Sequence, residues 1–203
     1  MKRITIETGT FGVNTSILIE DGRALIVDPG SEGERILGVC EQEKVEPTAI
    51  LLTHAHFDHI GAIPYLQERY PELPVYVHAD DVHAFTHPMN AYPPDYPAIP
   101  LPKNIDSQFV IRKFENSKIE IITTPGHTPG SVCYYFKDDK LLLSGDTLFA
   151  GSVGRTDLPG GNVTALMRSL EKLKVLPKDT VVVPGHGSET TIEEELCSNS
   201  FLR

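Results

Sequence analysis

The stretch LLTHAHFDHIGA, Leu51 to Ala62, places three histidines and an aspartate within six residues directly after an apolar run. His54, His56, Asp58 and His59 spell HxHxDH. The preceding TAILLT reads as a β-strand. The cluster then occupies the loop at its C-terminal end, where side chains converge free of helical or pleated spacing.

Three further loops of the same kind follow along the chain. TTPGHTPGS puts His127 after a strand in a Pro/Gly turn, LLLSGDTLF does so for Asp146, and VVVPGHGS for His186. Five of the eight histidines thus sit in strand-terminal loops, a placement that surface scatter does not produce. The ligands are all nitrogen and oxygen, with no thiolate, which suits zinc, iron or manganese. The ligand types do not choose among these metals. Seven candidate ligands are too many for one tetrahedral ion and suit two divalent ions sharing a carboxylate, each with room for water or substrate.

Around these loops the chain alternates strand and helix signals. ITIE, SILIE and ALIVD read as half-buried strands, and EDGR between the last two carries an Asp-Gly hairpin signal. SEGERILGVCEQEKV reads as a helix, with Ser31 three residues before Glu34 in capping-box spacing. A second series of strands is expected at QFVIRKF, KIEIITT, SVCYYF and KLLLSGD, then a helix over NVTALMRSLEKLKVL and a final strand at TVVVPG. Leu166, Leu170 and Leu173 give that helix one apolar stripe. Between the two series, HPMNAYPPDYPAIPLPKN holds six of the sixteen prolines, which excludes a regular helix or central strand. Its Tyr92, Tyr96 and Ile99 favour a packed flap, able to wall a substrate pocket.

Composition bounds the function. The 203 residues are enough for one core and are expected to form a single domain spanning 1–203. With 18 basic and 28 acidic residues the net charge is −10, which repels a phosphate backbone, so nucleic acid is not an expected partner. The start MKRITIETGTFG lacks the continuous apolar core of a signal peptide, and no run approaches a membrane span. A cytoplasmic protein, monomeric or a small homo-oligomer, with no membrane partner is expected. Cys40, Cys133 and Cys197 form no CxxC pair and imply no disulfide framework.

HxHxDH together with the GH of Gly126–His127, the GD of Gly145–Asp146 and the GH of Gly185–His186 resembles the metallo-β-lactamase superfamily, over nearly the whole chain and including VDPG near Asp28. The resemblance implies an α/β fold, a four-layer αβ/βα sandwich of two mixed sheets with helices on the outer faces. It also implies that His54, His56 and His127 hold a first metal, that Asp58, His59 and His186 hold a second, and that Asp146 bridges them. Asp28 is then expected to orient the HxHxDH loop.

Within the superfamily, SGDTLFAGSVGRTDLPGG and the later PGHG…TTIEEE…NSFL are similar to glyoxalase II-like hydrolases (hydroxyacylglutathione hydrolases), especially the short single-domain bacterial type. That resemblance implies cleavage of a small-molecule thioester such as S-lactoylglutathione by a metal-bridging hydroxide, with Asp58 orienting the nucleophile. The chain departs from full-length enzymes in two respects. It has Arg155 and Asp157 where they carry lysine and tyrosine, and no C-terminal helical glutathione-binding region is expected beyond His186. Arg155 is the expected substrate contact, to a carboxylate. Two alternatives stay open: a mononuclear-iron persulfide dioxygenase, whose family is also similar in the GRTD segment and would use His54, His127 and Asp146, and a lactonase or other esterase of the same superfamily.

His78, and His83 with His87 four residues on, read as structural and solvated residues respectively.

Overall fold

The computed structural model describes residues 1–88, 90–107 and 119–203. The expected strand QFVIRKF lies outside the described residues. The chain divides into two compact units, Met1–Lys113 and Phe114–Arg203.

The first unit opens with β1 (Lys2–Thr8), β2 (Val13–Glu20) and β3 (Arg23–Val27). Asp21 and Gly22, at φ 48° and 74°, make the two-residue turn between β2 and β3. Positive φ at both positions is the hairpin geometry whose twist matches the flanking strands. Helix α1 (Gly33–Glu43) leads to β4 (Glu46–Leu51), then short α2 (Phe57–Ile60), α3 (Ile63–Arg69), β5 (Val75–Tyr76), a 3-10 helix at Ala79–Thr86 and β6 (Ile105–Asp106). The sheet runs in simple order from β1 to β6, antiparallel through β3 and parallel from β3 onward. Ile17, Ile26 and Ile50 from the sheet pack with Ile36 and Cys40 of α1 and Ile63 and Leu66 of α3. Leu18, Leu25 and Leu51 alternate with them and are also fully buried. Burial on both faces is why ALIV and AILL read as unbroken apolar runs.

The helix start at α1 differs from the sequence expectation. Glu32, not Ser31, is the capping residue, in the left-handed region at φ 53° with no side-chain cap. Its carboxylate instead accepts a hydrogen bond from the Gly9 N–H at 3.0 Å, so a long-range partner displaces the local motif.

The second unit contains β7 (Ile119–Thr123), β8 (Val132–Phe136), β9 (Leu141–Gly145), a small hairpin of β10 (Leu148–Phe149) and β11 (Ser152–Val153), α4 (Val163–Leu173), β12 (Val181–Pro184), β13 (Thr190–Thr191) and α5 (Ile192–Ser198). Its main sheet has the order β13-β12-β9-β8-β7, with β9 and β12 parallel and the other pairs antiparallel. Leu170 and Leu173 of α4 and Ile192 of α5 pack on Cys133, Tyr135, Leu142 and Val182. Truncating one such residue to alanine costs about 2–5 kcal/mol. The capping box that the sequence suggested at Ser31 is realised here, where Thr191 and Glu194 bond reciprocally at the start of α5.

Strand direction places the loops that matter. β3, β4 and β5 are adjacent and parallel, so the residues after them (Asp28, the HxHxDH loop and Asp81) emerge at one edge of the first sheet. β7, β9 and β12 likewise point the same way, so His127, Asp146 and His186 emerge at one edge of the second. Open α/β sheets present ligand-binding loops at such edges. No helix among the described residues is long and apolar enough to cross a membrane.

Candidate metal centre

In the first unit, His54 and His59 are almost wholly buried and Asp58 nearly so, while His56 is half-buried. The rings of His54 and His59 lie 4.1 Å apart, and those of His54 and His56 lie 4.8 Å apart, edge to face. A ligand atom of His54 comes within 4.8 Å of one on His56 and one on His59, as does one of Asp58 with His59. Two donors on the loop after β4 and two on α2, where the expected loop turns helical at Phe57, therefore converge.

Asp28 anchors that loop from the end of β3. Its carboxylate accepts from the Thr53 N–H at 2.8 Å and the Thr53 hydroxyl at 2.6 Å, and lies 3.1 Å from His59 Nδ1. With Nδ1 turned to Asp28, His59 directs Nε2 to the Asp58 side, 3.9 Å from Asp58 Oδ2. A carboxylate behind a histidine fixes the ring and raises the basicity of its outer nitrogen. Asp28 itself sits at φ 49°, a left-handed conformation uncommon outside glycine. Asp81, buried after β5, accepts from the Ala55 N–H at 3.2 Å.

In the second unit, Asp146 Oδ2 lies 3.4 Å from His127 Nε2 and 3.7 Å from His186 Nε2. One carboxylate oxygen thus stands between two imidazoles. His127 Nδ1 is 2.8 Å from the carbonyl oxygen of Arg155. A carbonyl only accepts, so Nδ1 carries a hydrogen, and Nε2 is the nitrogen that faces Asp146. The loop carrying His127 is pressed against α4: Gly126 has φ 150°, and a Cβ there would meet the Leu166 backbone at 2.5 Å. Gly126 O also accepts from the Asn162 N–H at 2.8 Å, at the helix start.

The segment after Asp146 is held as tightly. A Cβ on Gly154 would overlap the Asp146 carbonyl oxygen. Behind it, the buried carboxylate of Glu195 in α5 accepts from the Gly151 N–H at 2.9 and 3.1 Å, from the Thr190 hydroxyl at 2.7 Å and from Asn199 Nδ2 at 2.7 Å. Asn199 Nδ2 also donates to Ser152 O at 3.0 Å. The β10–β11 hairpin, and through it the Arg155 carbonyl that positions His127, is thereby tied to the C-terminal helix. The sequence signal for Glu195 is its position three residues after Ile192, on the helix stripe that faces inward.

Arg155 has two jobs in the structure. Its carbonyl orients His127, and its exposed guanidinium grips Asp157 through a bidentate fork at 2.7 and 2.8 Å. The fork pulls the Asp157 carboxyl down to about 2 and raises the Arg155 guanidinium further. Elsewhere His83 and His87 are exposed, and His78 is half-buried with Nδ1 accepting from the Asp80 N–H at 3.3 Å. Burial pushes the thiols of Cys40 and Cys133 up to about 11, which makes both poor nucleophiles.

The donor sets fit divalent cations. Each unit gathers imidazoles and carboxylates out of solvent, with the far side of His127 bonded to a carbonyl oxygen and a carboxylate oxygen 3.1 Å behind His59, the kind of support metal-ligating histidines have.

Comparison with known proteins agrees with this chemistry. The profile described as "Metallo-beta-lactamase superfamily" matches residues 8–186. The chain is 40% identical to the "Probable metallo-hydrolase YqgX" of Bacillus subtilis, covering 100% of this chain and 98% of the relative. It is 35% identical to the "Hydroxyacylglutathione hydrolase GloC" of Haemophilus influenzae, over 97% and 96% of the two chains. Among solved structures it is similar to the BLEG-1 B3 metallo-β-lactamase, with a TM-score of 0.90, 36% identity and 99% of each chain covered. It is also similar to TTHA1623 in a di-iron-bound form, with a TM-score of 0.87, 38% identity and 98% and 100% covered. The α/β architecture, the mixed sheets and the His/Asp loops at their edges are those of one family, and the chain belongs to the metallo-β-lactamase superfamily.

Proposed function

We propose that the protein is a binuclear metal-dependent hydrolase of thioesters resembling S-lactoylglutathione. The observation that carries the binuclear part is the placement of Asp146 Oδ2 between His127 Nε2 and His186 Nε2, at 3.4 and 3.7 Å. By the family resemblance, His54, His56 and His127 would hold one ion, Asp58, His59 and His186 would hold the other, and Asp146 would serve both. Zinc is the metal proposed; the di-iron form of TTHA1623 makes iron the first alternative to test.

Two divalent cations at such a site supply a water of lowered pKa and a Lewis acid for the scissile carbonyl. The protein's own groups do the rest. Asp58, which is 8% exposed, accepts a hydrogen from the attacking water and so fixes the direction of its lone pair. Asp28 and the Arg155 carbonyl keep His59 and His127 in the ligating tautomer and orientation. The parent thiol of a thioester's leaving group has a pKa of about 8.5, so the sulfur departs as thiolate without prior protonation, whereas an amide nitrogen needs a proton donor in place. No side chain assigned to this site is a dedicated acid, which favours the thioester.

The substrate class is supported by the 35% identity to GloC over nearly the full length of both chains. Arg155, with part of its guanidinium committed to Asp157, is the proposed contact for a substrate carboxylate. The likeness to BLEG-1 favours a second reading, β-lactam hydrolysis.

One experiment separates these readings. The metal-loaded protein is assayed with S-lactoylglutathione, a chromogenic β-lactam and glutathione persulfide with an oxygen electrode, alongside elemental analysis. Thioester cleavage with close to two metals per chain is expected. Faster β-lactam turnover would transfer the assignment to the second reading. Oxygen consumption on persulfide with one iron and no thioester cleavage would make the protein a dioxygenase instead.

A further inference from the structure

Asn90, in the proline-rich segment, uses both ends of its side-chain amide on the metal loop. Its Oδ1 accepts from the Phe57 N–H at 2.8 Å, and its Nδ2 donates to the Ala55 carbonyl at 2.8 Å and the Ala84 carbonyl at 3.0 Å. Ala55 and Phe57 are the two neighbours of His56. The amide orientation is dictated by its surroundings, because one end faces the Phe57 N–H, which only donates, and the other faces two carbonyl oxygens, which only accept.

The 3-10 helix just before that segment holds Ala55 from its other side. Asp81, in the 3-10 helix that also contributes Ala84, accepts from the Ala55 N–H at 3.2 Å. The peptides flanking His56 are therefore pinned by side chains 26 and 33–35 residues further along the chain. Tyr92 and Tyr96 of the segment add a second grip, with rings 6.0 and 5.3 Å from that of Phe57. His54 and His59 are held within the core, whereas His56 is half-buried, so more of its placement falls to the backbone on either side.

We propose that Asn90 is a positioning residue for His56: by fixing the backbone before and after that histidine it sets the affinity of the metal His56 ligates. This rests on the metal assignment of the preceding subsection. The proline-rich segment then acts as a brace on the metal loop in addition to any role as a pocket wall.

The test compares Asn90→Ala with Gln67→Ala. Gln67 ties the far end of the same segment to α3, donating to Leu73 O and Lys103 O and accepting from the Lys103 N–H, without touching the metal loop. Metal affinities are read by competition with a chromophoric chelator and from the visible spectrum of the cobalt-substituted protein, and thermal unfolding is followed on the metal-free protein. Asn90→Ala is expected to weaken one of two bound metals by about ten- to hundredfold and to change the cobalt spectrum. Gln67→Ala is expected to leave both unchanged at a comparable loss of thermal stability. Wild-type affinity and spectrum in Asn90→Ala would overturn the proposal, and so would equal weakening in both variants, which marks general loosening. If Asn90→Ala does not fold, Asn90→Gln decides, with the amide retained but displaced by one methylene and a smaller shift expected in the same direction. Failure of the wild-type protein to bind metal would overturn the metal assignment itself, a result distinct from wild-type binding that Asn90→Ala leaves intact.

Discussion

Thr53 donates twice to Asp28, through its backbone N–H at 2.8 Å and its hydroxyl at 2.6 Å, so a single buried carboxylate holds the residue immediately before His54. Asp28→Asn replaces one acceptor by a donor facing a donor and removes the charge behind His59. Metal affinity is expected to fall about ten- to hundredfold in a chelator competition. The metal-free protein is expected to lose about 1–3 kcal/mol in urea denaturation.

Asp146→Ala removes a carboxylate oxygen that faces both His127 and His186. Elemental analysis is expected to show less than full metal occupancy, with activity lost. A variant with two metals and an undiminished rate would refute the bridging role.

Gly154→Ala puts a methyl group into the Asp146 carbonyl oxygen. The backbone must shift there, and Asp146 and the Arg155 carbonyl shift with it. Destabilisation of about 1–3 kcal/mol is expected from the overlap. The loss of activity should be larger than that of Gly151→Ala, which meets no neighbour within 4 Å and carries only the strain of φ 72°.

The three cysteines differ in reactivity. Cys40 and Cys133 are buried with thiols raised to about 11, while Cys197 is exposed. At pH 8 a thiol of pKa 11 is about one part in a thousand thiolate. Alkylation followed by mass spectrometry is expected to label Cys197 alone in the native protein and all three after denaturation.

Asp157 titrates below its ordinary range because the Arg155 fork favours the carboxylate. Its folded pKa of about 2 lies under the ordinary carboxyl value of 3.8. The contribution of the pair is therefore complete above about pH 4 and is lost as pH falls through about 2. Across the range in which hydrolases are assayed the fork stays intact. Carboxyl chemical shifts followed by NMR should place the Asp157 midpoint near 2, and Arg155→Lys should move it upward.

What the sequence made legible was what residue type alone carries. HxHxDH, the three later His/Asp loops and the Asp21-Gly22 hairpin depend on local chemistry: a ligand must be His or Asp, and a two-residue turn needs positive φ. The capping box shows where local pattern falls short. Ser31 and Glu34 have the right spacing, but Glu32 bonds to Gly9, 23 residues away, and the motif forms at Thr191 and Glu194 instead. Asp81 and Asn90 were not legible for the same reason. Each bonds to the metal loop across 26 to 35 residues of chain and nothing in its neighbours announces that it faces inward, whereas Glu195, which reaches Gly151 across 44 residues, is marked by its place three residues after Ile192.

Glu195 also sets an order of events. Gly151 is held by a carboxylate 44 residues later in the chain, and at about 5–20 residues per second a ribosome needs roughly 2–9 s to cover that interval. During that time His127, Asp146 and Arg155 have all been made, but the hairpin that presents the Arg155 carbonyl to His127 lacks its anchor. Nascent chains should therefore gain their high-affinity state for metal only after α5 has emerged, which makes metal capture a late step in biogenesis.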